Sequence, residues 1–151
     1  MAELEPVDVA RRYFRALEAE DLVPWVESDE VDLETWKRAE PYLDPQFEVV
    51  DSATLAGLGV RPRGRGWDFL RGNYREMLSP FEGYSERVTE LRDLGDGRVL
   101  ALGEARGRPR GGGPEVIQLG GVIVTVRDGR IVRIEFFLDR AEALAAAERV
   151  R

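Results

Sequence analysis

A chain with neither cysteine nor histidine has few ways to do chemistry, and this sequence of 151 residues has neither. Disulfides, thiolate nucleophiles and thiolate metal sites are excluded. So are imidazole bases and imidazole metal ligands. Proton transfer falls to carboxylates and tyrosines, helped by arginine or by the single lysine, Lys37. Neither a metal nor a cofactor is implied by any spacing of these groups. Gln118 stands among valines, where its amide either fixes a ligand carbonyl or bonds a neighbouring backbone group. Trp25, Trp36, Tyr42, Trp67 and Tyr74 either line the mouth of a cavity for a flat apolar ligand or pack helices onto a sheet. Glu104 and Arg106 read as pocket groups or as a solvated pair. Arg61, Arg63 and Arg65 read as an anion holder or as a surface loop. The glycines at 111–113 do not precede a helix, so they make no phosphate-binding loop.

These groups need elements to hold them. Residues 7–20 predict an amphipathic helix, with Val7, Ala10, Tyr13, Phe14 and Leu17 on one side. Shorter helices are expected over 22–42, and Asp44-Pro45 is expected to break the chain. Residues 47–52 predict a short strand and 66–79 a helix with Trp67, Leu70, Tyr74, Met77 and Leu78 on one stripe. From residue 84 the pattern is a meander of strands, 84–94, 98–106, 114–126 and 130–138. Asp96-Gly97 and Asp128-Gly129 are strong hairpin signals, because a type I′ turn needs φ > 0 at both central residues. Asp139 is expected to cap a last helix over 140–149, with Glu142 three residues on.

Strand 116–126 is apolar on both faces, Val116, Val122, Val124 and Val126 on one and Ile117, Leu119 and Ile123 on the other. A sheet with one wet face alternates instead. One face must take the helices, enclosing a closed apolar cavity walled by Val122, Val124, Ile134 and Phe136. The other is expected to meet a second copy of the chain in a homodimer. Hydrophobic residues make up 43% and charged residues 34%, and the net charge is −7. That is one globular domain over 1–151 without the basic footprint of a nucleic-acid binder. No apolar run approaches the ~20 residues of a membrane span, and the acidic N-terminus does not resemble a signal peptide. The expected compartment is cytoplasmic.

The element order, with ARRYFRALEAEDL (10–22), YLDPQFEVVD (42–51), RGRGWDFL (63–70) and VRDGRIVRIEFFLDRAEALAAA (126–147), resembles the SnoaL-like group of the nuclear-transport-factor-2-like superfamily. The resemblance covers essentially the whole chain. It implies an α+β cone: a curved, mostly antiparallel sheet wrapped around the N-terminal helices. Ketosteroid isomerase, in the same superfamily, uses an Asp ending its first strand as base and a Tyr on its first helix as oxyanion donor, assisted by a protonated Asp. Carried over, the base is Asp51, which otherwise reads as a turn-former before Ser52. The donor is Tyr13, eight residues before Asp21. The second acid falls at Val122, a departure from the isomerase pattern. The expectation is therefore an apolar-ligand-binding protein with Trp25, Trp67, Tyr74, Gln118, Val122, Val124, Ile134 and Phe136 around the ligand. The alternatives are an isomerase or cyclase run by Asp51 and Tyr13, and a protein-interaction module using the open sheet face.

Overall fold

The computed structural model describes residues 4–18, 22–23, 34–52 and 63–149, of 34–36 the backbone. Helix α1 (Pro6–Leu17) buries Val9, Ala10, Tyr13 and Ala16, and Pro6 occupies its first turn. There a missing N–H costs nothing. Helix α2 (Glu34–Ala39) runs through a 3-10 turn, Glu40–Tyr42, into strand β1 (Leu43–Asp51). Then come β2 (Arg63–Arg65), α3 (Gly66–Leu78), β3 (Phe81–Gly95), β4 (Arg98–Pro109), β5 (Val116–Arg127), β6 (Arg130–Phe137) and α4 (Arg140–Ala147).

The six strands form one mixed sheet in the order β2-β1-β6-β5-β4-β3. Only β1 with β6 is parallel; the other pairs are antiparallel. The sheet is α+β in class and mostly antiparallel, as expected, and its edges do not meet. Both hairpins turn on Asp-Gly, with φ of 52° and 81° at Asp96-Gly97 and 52° and 78° at Asp128-Gly129. At the last helix the Asp139 carboxylate accepts from the Glu142 N–H at 2.8 Å.

Three features differ from the sequence expectation. Asp44-Pro45 does not end the strand. Leu43 already pairs with Ile131, and the pairing resumes at Glu48 after an irregularity. Asp44 Oδ1 accepts from Gln46 N within that kink. Second, Arg63–Arg65 pairs with β1 and extends the sheet by one strand. Third, a bulge between Thr125 and Val126 in the β5 pairing shifts β6, so Ile131 rather than Val132 joins Ile134 in the core. Bulges of this kind also bend a sheet; another stands in β3 between Val88 and Glu90.

The sheet has two dissimilar faces. The inner face, with Val49, Val99, Val124, Ile131 and Ile134, packs on α1 and α3. The outer face is covered in part by the chain itself: Leu100, Leu102 and Ile123 pack beneath Ala143 and Ala146 of α4. Farther along β5 on the outer face, Ile117 and Leu119 stay half exposed, at 50% and 52%. Among the described residues no helix is long and apolar enough to cross a membrane.

The approach of α4 depends on one glycine. A Cβ at Gly121 would stand 2.4 Å from the Ala143 Cβ and 3.3 Å from Leu102 Cδ2. Gly121→Ala therefore forces the helix outward. Overpacking of this kind costs about 1–3 kcal/mol. Denaturant unfolding should show a lowered midpoint with an unchanged slope; an unaltered midpoint refutes the tight contact.

Candidate functional site

The inner face cannot be filled at its centre. Strand β4 presents Ala101, Gly103 and Ala105 there at a period of two, and β5 presents Gly120 opposite Gly103. Where neighbouring strands offer Val, Ile or Phe, these positions offer almost no side-chain volume. The result is a partly enclosed void of about 130 Å³ between the sheet and the helices. Its wall takes Tyr13, Phe14 and Leu17 from α1, Tyr74 and Met77 from α3, and Val122, Ile134 and Phe136 from the sheet.

The polar content of this wall is concentrated around Glu86. The Tyr74 hydroxyl donates to Glu86 Oε1 at 2.8 Å. Glu86 makes no ion pair among the described residues. Burial pushes its carboxyl above the usual range, and the Tyr74 bond partly opposes that rise. Tyr13, Tyr74 and Tyr84 are each raised well above an ordinary phenol, first by burial and then by the Glu86 charge. They therefore act at neutral pH as neutral donors. Aromatic edges complete the lining: Tyr74 meets Phe136 edge-on at 6.0 Å between centroids, and Tyr13 meets Phe14 at 5.2 Å.

The structure distributes the other candidate residues as follows. Tyr13, 2% exposed, is on the wall. So are Tyr74, Gln118, Val122, Ile134 and Phe136. The Gln118 amide, though on the wall, donates to the backbone carbonyl oxygens of Leu119 and Leu138. Val124 is fully buried in the core rather than on the wall. Trp67 lines a separate, more open hollow with Lys37, Phe47 and Arg130. Trp25, Arg61 and the Trp36 side chain lie outside the described residues. Glu104 and Arg106 pair at 3.2 Å, and Arg106 also reaches Glu115 at 3.2 Å.

Asp51 pairs in parallel register with Phe136 and so shares its inner face, but it is not on the wall of the void among the described residues. Its Oδ2 accepts from Asn73 Nδ2 at 2.7 Å. Burial raises its pKa to about 6, and the Asn73 bond holds it from rising further. Among the described residues no group of carboxylates has a metal-holding arrangement. Glu86 is the functional candidate that reading the sequence missed. The signal was present: Tyr84, Glu86 and Val88 share one face of β3, opposite the small residues of β4.

No protein-family model matches the sequence, and no curated protein matches it. Solved structures match over nearly the whole chain. An NTF2-like protein from Burkholderia thailandensis superposes with a TM-score of 0.66 at 22% identity, covering 97% of this chain and 99% of that one. A putative SnoaL-like polyketide cyclase from a Jannaschia species gives 0.59 at 15%, covering 100% and 98%. A protein from Catenulispora acidiphila with a ketosteroid-isomerase-like fold, in complex with trimethylamine, gives 0.59 at 12%, covering 98% and 100%. The chain has the fold of the nuclear-transport-factor-2-like proteins. At these identities the likeness defines the fold and leaves the chemistry to the site.

The raised pKa of Asp51 has a consequence for stability. Its native value near 6 lies above the ordinary carboxylate value of about 3.9. Between those values the native state binds more protons than the unfolded one, so stability falls as pH rises through the window. Asp51→Asn keeps an acceptor for Asn73 and removes the buried charge. It should stabilise the protein at neutral pH by about 1 kcal/mol, the full shift being discounted for partial solvent exposure. The gain should vanish below about pH 4. Thermal unfolding of both proteins across that range checks this, and a pH-independent difference counts against it.

Proposed function

We propose that the protein binds a small, largely apolar molecule in the void on the inner face. The observation that carries this reading is the void itself, walled by aromatic and aliphatic carbon with one half-buried carboxyl group, Glu86, facing it. An apolar cavity of about 150 Å³ stays dry and accepts a benzene-sized guest. At about 130 Å³ this void suits one ring rather than a fused ring system. The similar folds of the putative cyclase and the trimethylamine-bound protein support small-molecule recognition.

A fragment library screened by thermal shift tests the reading. Compounds of about one ring should raise the melting temperature of the wild type. Val122→Phe, which fills the void, should lose most of those shifts. Shifts that persist undiminished in Val122→Phe locate binding elsewhere, and a library without hits sinks the reading.

One observation favours a second reading, proton-transfer catalysis of the isomerase or cyclase type. Asp51, with a pKa of about 6, is suited to act as a base near neutral pH. Tyr13 keeps its proton and is suited to meet an oxyanion. Against this, the resemblance to the isomerase puts an aliphatic residue, Val122, where a second acid would assist, and Asp51 stands off the void wall. Any turnover of a β,γ-unsaturated ketone is therefore weak, and it should disappear in Asp51→Asn. Activity surviving in that variant eliminates Asp51 as the base.

The reading includes a second copy of the chain over Ile117 and Leu119, the exposed outer-face positions flanked by Glu104 and Arg106. Apolar centres with polar rims are characteristic of interfaces. The Phe137 ring packs under α4, so Leu119→Asp is the sharper probe. Sedimentation should give a dimer for the wild type and a shift toward monomer for Leu119→Asp. A wild type that stays monomeric at micromolar concentration removes the dimer, and the interaction surface with it.

A further inference from the structure

We propose that the ligand of the inner-face void carries a protonated amine, its nitrogen paired with the Glu86 carboxylate and its carbon skeleton held by the rings of Tyr13, Tyr84 and Phe136. This rests on the ligand-binding reading above and names the chemical class of the ligand.

Among the described residues the Glu86 carboxyl group has an incomplete set of partners. An ionised carboxylate offers about four acceptor positions. Tyr74 fills one of those on Glu86, and no arginine or lysine among the described residues pairs with it. The groups that face it from the surrounding elements are phenols: Tyr13 from α1, Tyr74 from α3 and Tyr84 from β3. All three hold their protons, so they donate hydrogen bonds but bring no positive charge. A desolvated carboxylate is costly unless it is neutralised or paired. A neutral apolar guest would strip it of remaining water and add to that cost. An anionic guest would meet repulsion. A cationic guest supplies the charge that the described residues around Glu86 do not.

The rest of the wall agrees in sign and in material. Its inward-facing carboxylate is Glu86, and Glu18 is exposed; Glu104 and Arg87, which also border the void, stand on the outer face and pair with each other in register. Arg87 is exposed, so it does not neutralise Glu86. Ring faces attract an ammonium through their quadrupoles, most strongly where water is excluded. Tyr13, Phe14, Tyr74, Tyr84 and Phe136 give the void several such rings around one carboxylate.

Two compounds of one shape separate charge from size. Piperidine is protonated at neutral pH; tetrahydropyran is its neutral ring analogue. Calorimetric titration of the wild type should show piperidine binding about ten- to a hundredfold more tightly, the range of a charge-assisted contact. Glu86→Gln should abolish that preference and leave tetrahydropyran unchanged. Tyr74→Phe keeps the carboxylate and removes its hydroxyl partner, so it should retain the preference even where Glu86→Gln proves poorly folded. Glu115→Gln, on the surface, should behave as wild type. Equal affinities in the wild type overturn the amine proposal and leave apolar binding standing. A preference that survives in Glu86→Gln overturns it too. Failure of both compounds to bind overturns the amine proposal, and the fragment screen then decides the broader reading by itself.

Discussion

The absence of side-chain volume on one stripe of β4 governs the rest of the structure. Ala101, Gly103 and Ala105 face inward where the sheet lies beneath α1 and α3. Protein interiors are otherwise packed to the density of organic crystals. With large residues here, the helices would rest on a filled core and Glu86 would have no room. With small ones, the neighbouring Tyr13, Tyr74 and Phe136 become walls. The same strand does the opposite on its other face, where Leu100 and Leu102 seal against α4. One β-strand, through the period-two alternation of its side chains, makes a hollow on one side and a solid core on the other.

Two carboxyl groups then share the inner face in unlike surroundings. Asp51 is half-buried at the end of β1 and is held by an amide from α3. Glu86 lies against the void and is held by a phenol from the same helix. Burial raises both, and in each case a hydrogen bond from α3 acts the other way. Asn73 and Tyr74 are adjacent, so one turn of α3 supplies the hydrogen bond that moderates the burial-raised pKa of each acid. A displacement of this helix relative to the sheet would change both together.

The sequence revealed most where local chemistry has one solution. Asp-Gly between apolar runs leaves little choice but a type I′ hairpin, and both turns form where the dipeptides stand. Asp139 with Glu142 marked the last helix for the same reason. Tyr13, Tyr74, Val122, Ile134 and Phe136 could be named for the inner face because a helical stripe and a strand period define faces. Long-range terms were less legible. The bulge that replaces Val132 by Ile131 arises from pairing with β5, which no local pattern encodes. The pairing of Arg63–Arg65 with β1 needs a partner distant in sequence. In sequence, Glu86 is one of several charged residues in the strand YSERVTELRDL. Its position is special only because Ala105 lies opposite it and Tyr74 descends onto it.

The aliphatic side chain of Val122 on β5 shapes what the face can do. In the isomerase arrangement two donors converge on an oxyanion, so the site is organised around negative charge appearing on the substrate. Here the wall beside Phe136 is aliphatic at Val122, and the buried acid is on β3 instead. Tyr74 donates into that acid, so its hydroxyl is committed to a charge the protein already carries. Tyr13 and Tyr84 feel the same carboxylate. Phenols already turned toward a carboxyl group are less available to stabilise a new negative charge. Among the described residues no cation pairs with Glu86. With Val122 aliphatic on β5 and Glu86 facing the void from β3, the described wall presents its carboxyl group from a different strand than the isomerase arrangement implies.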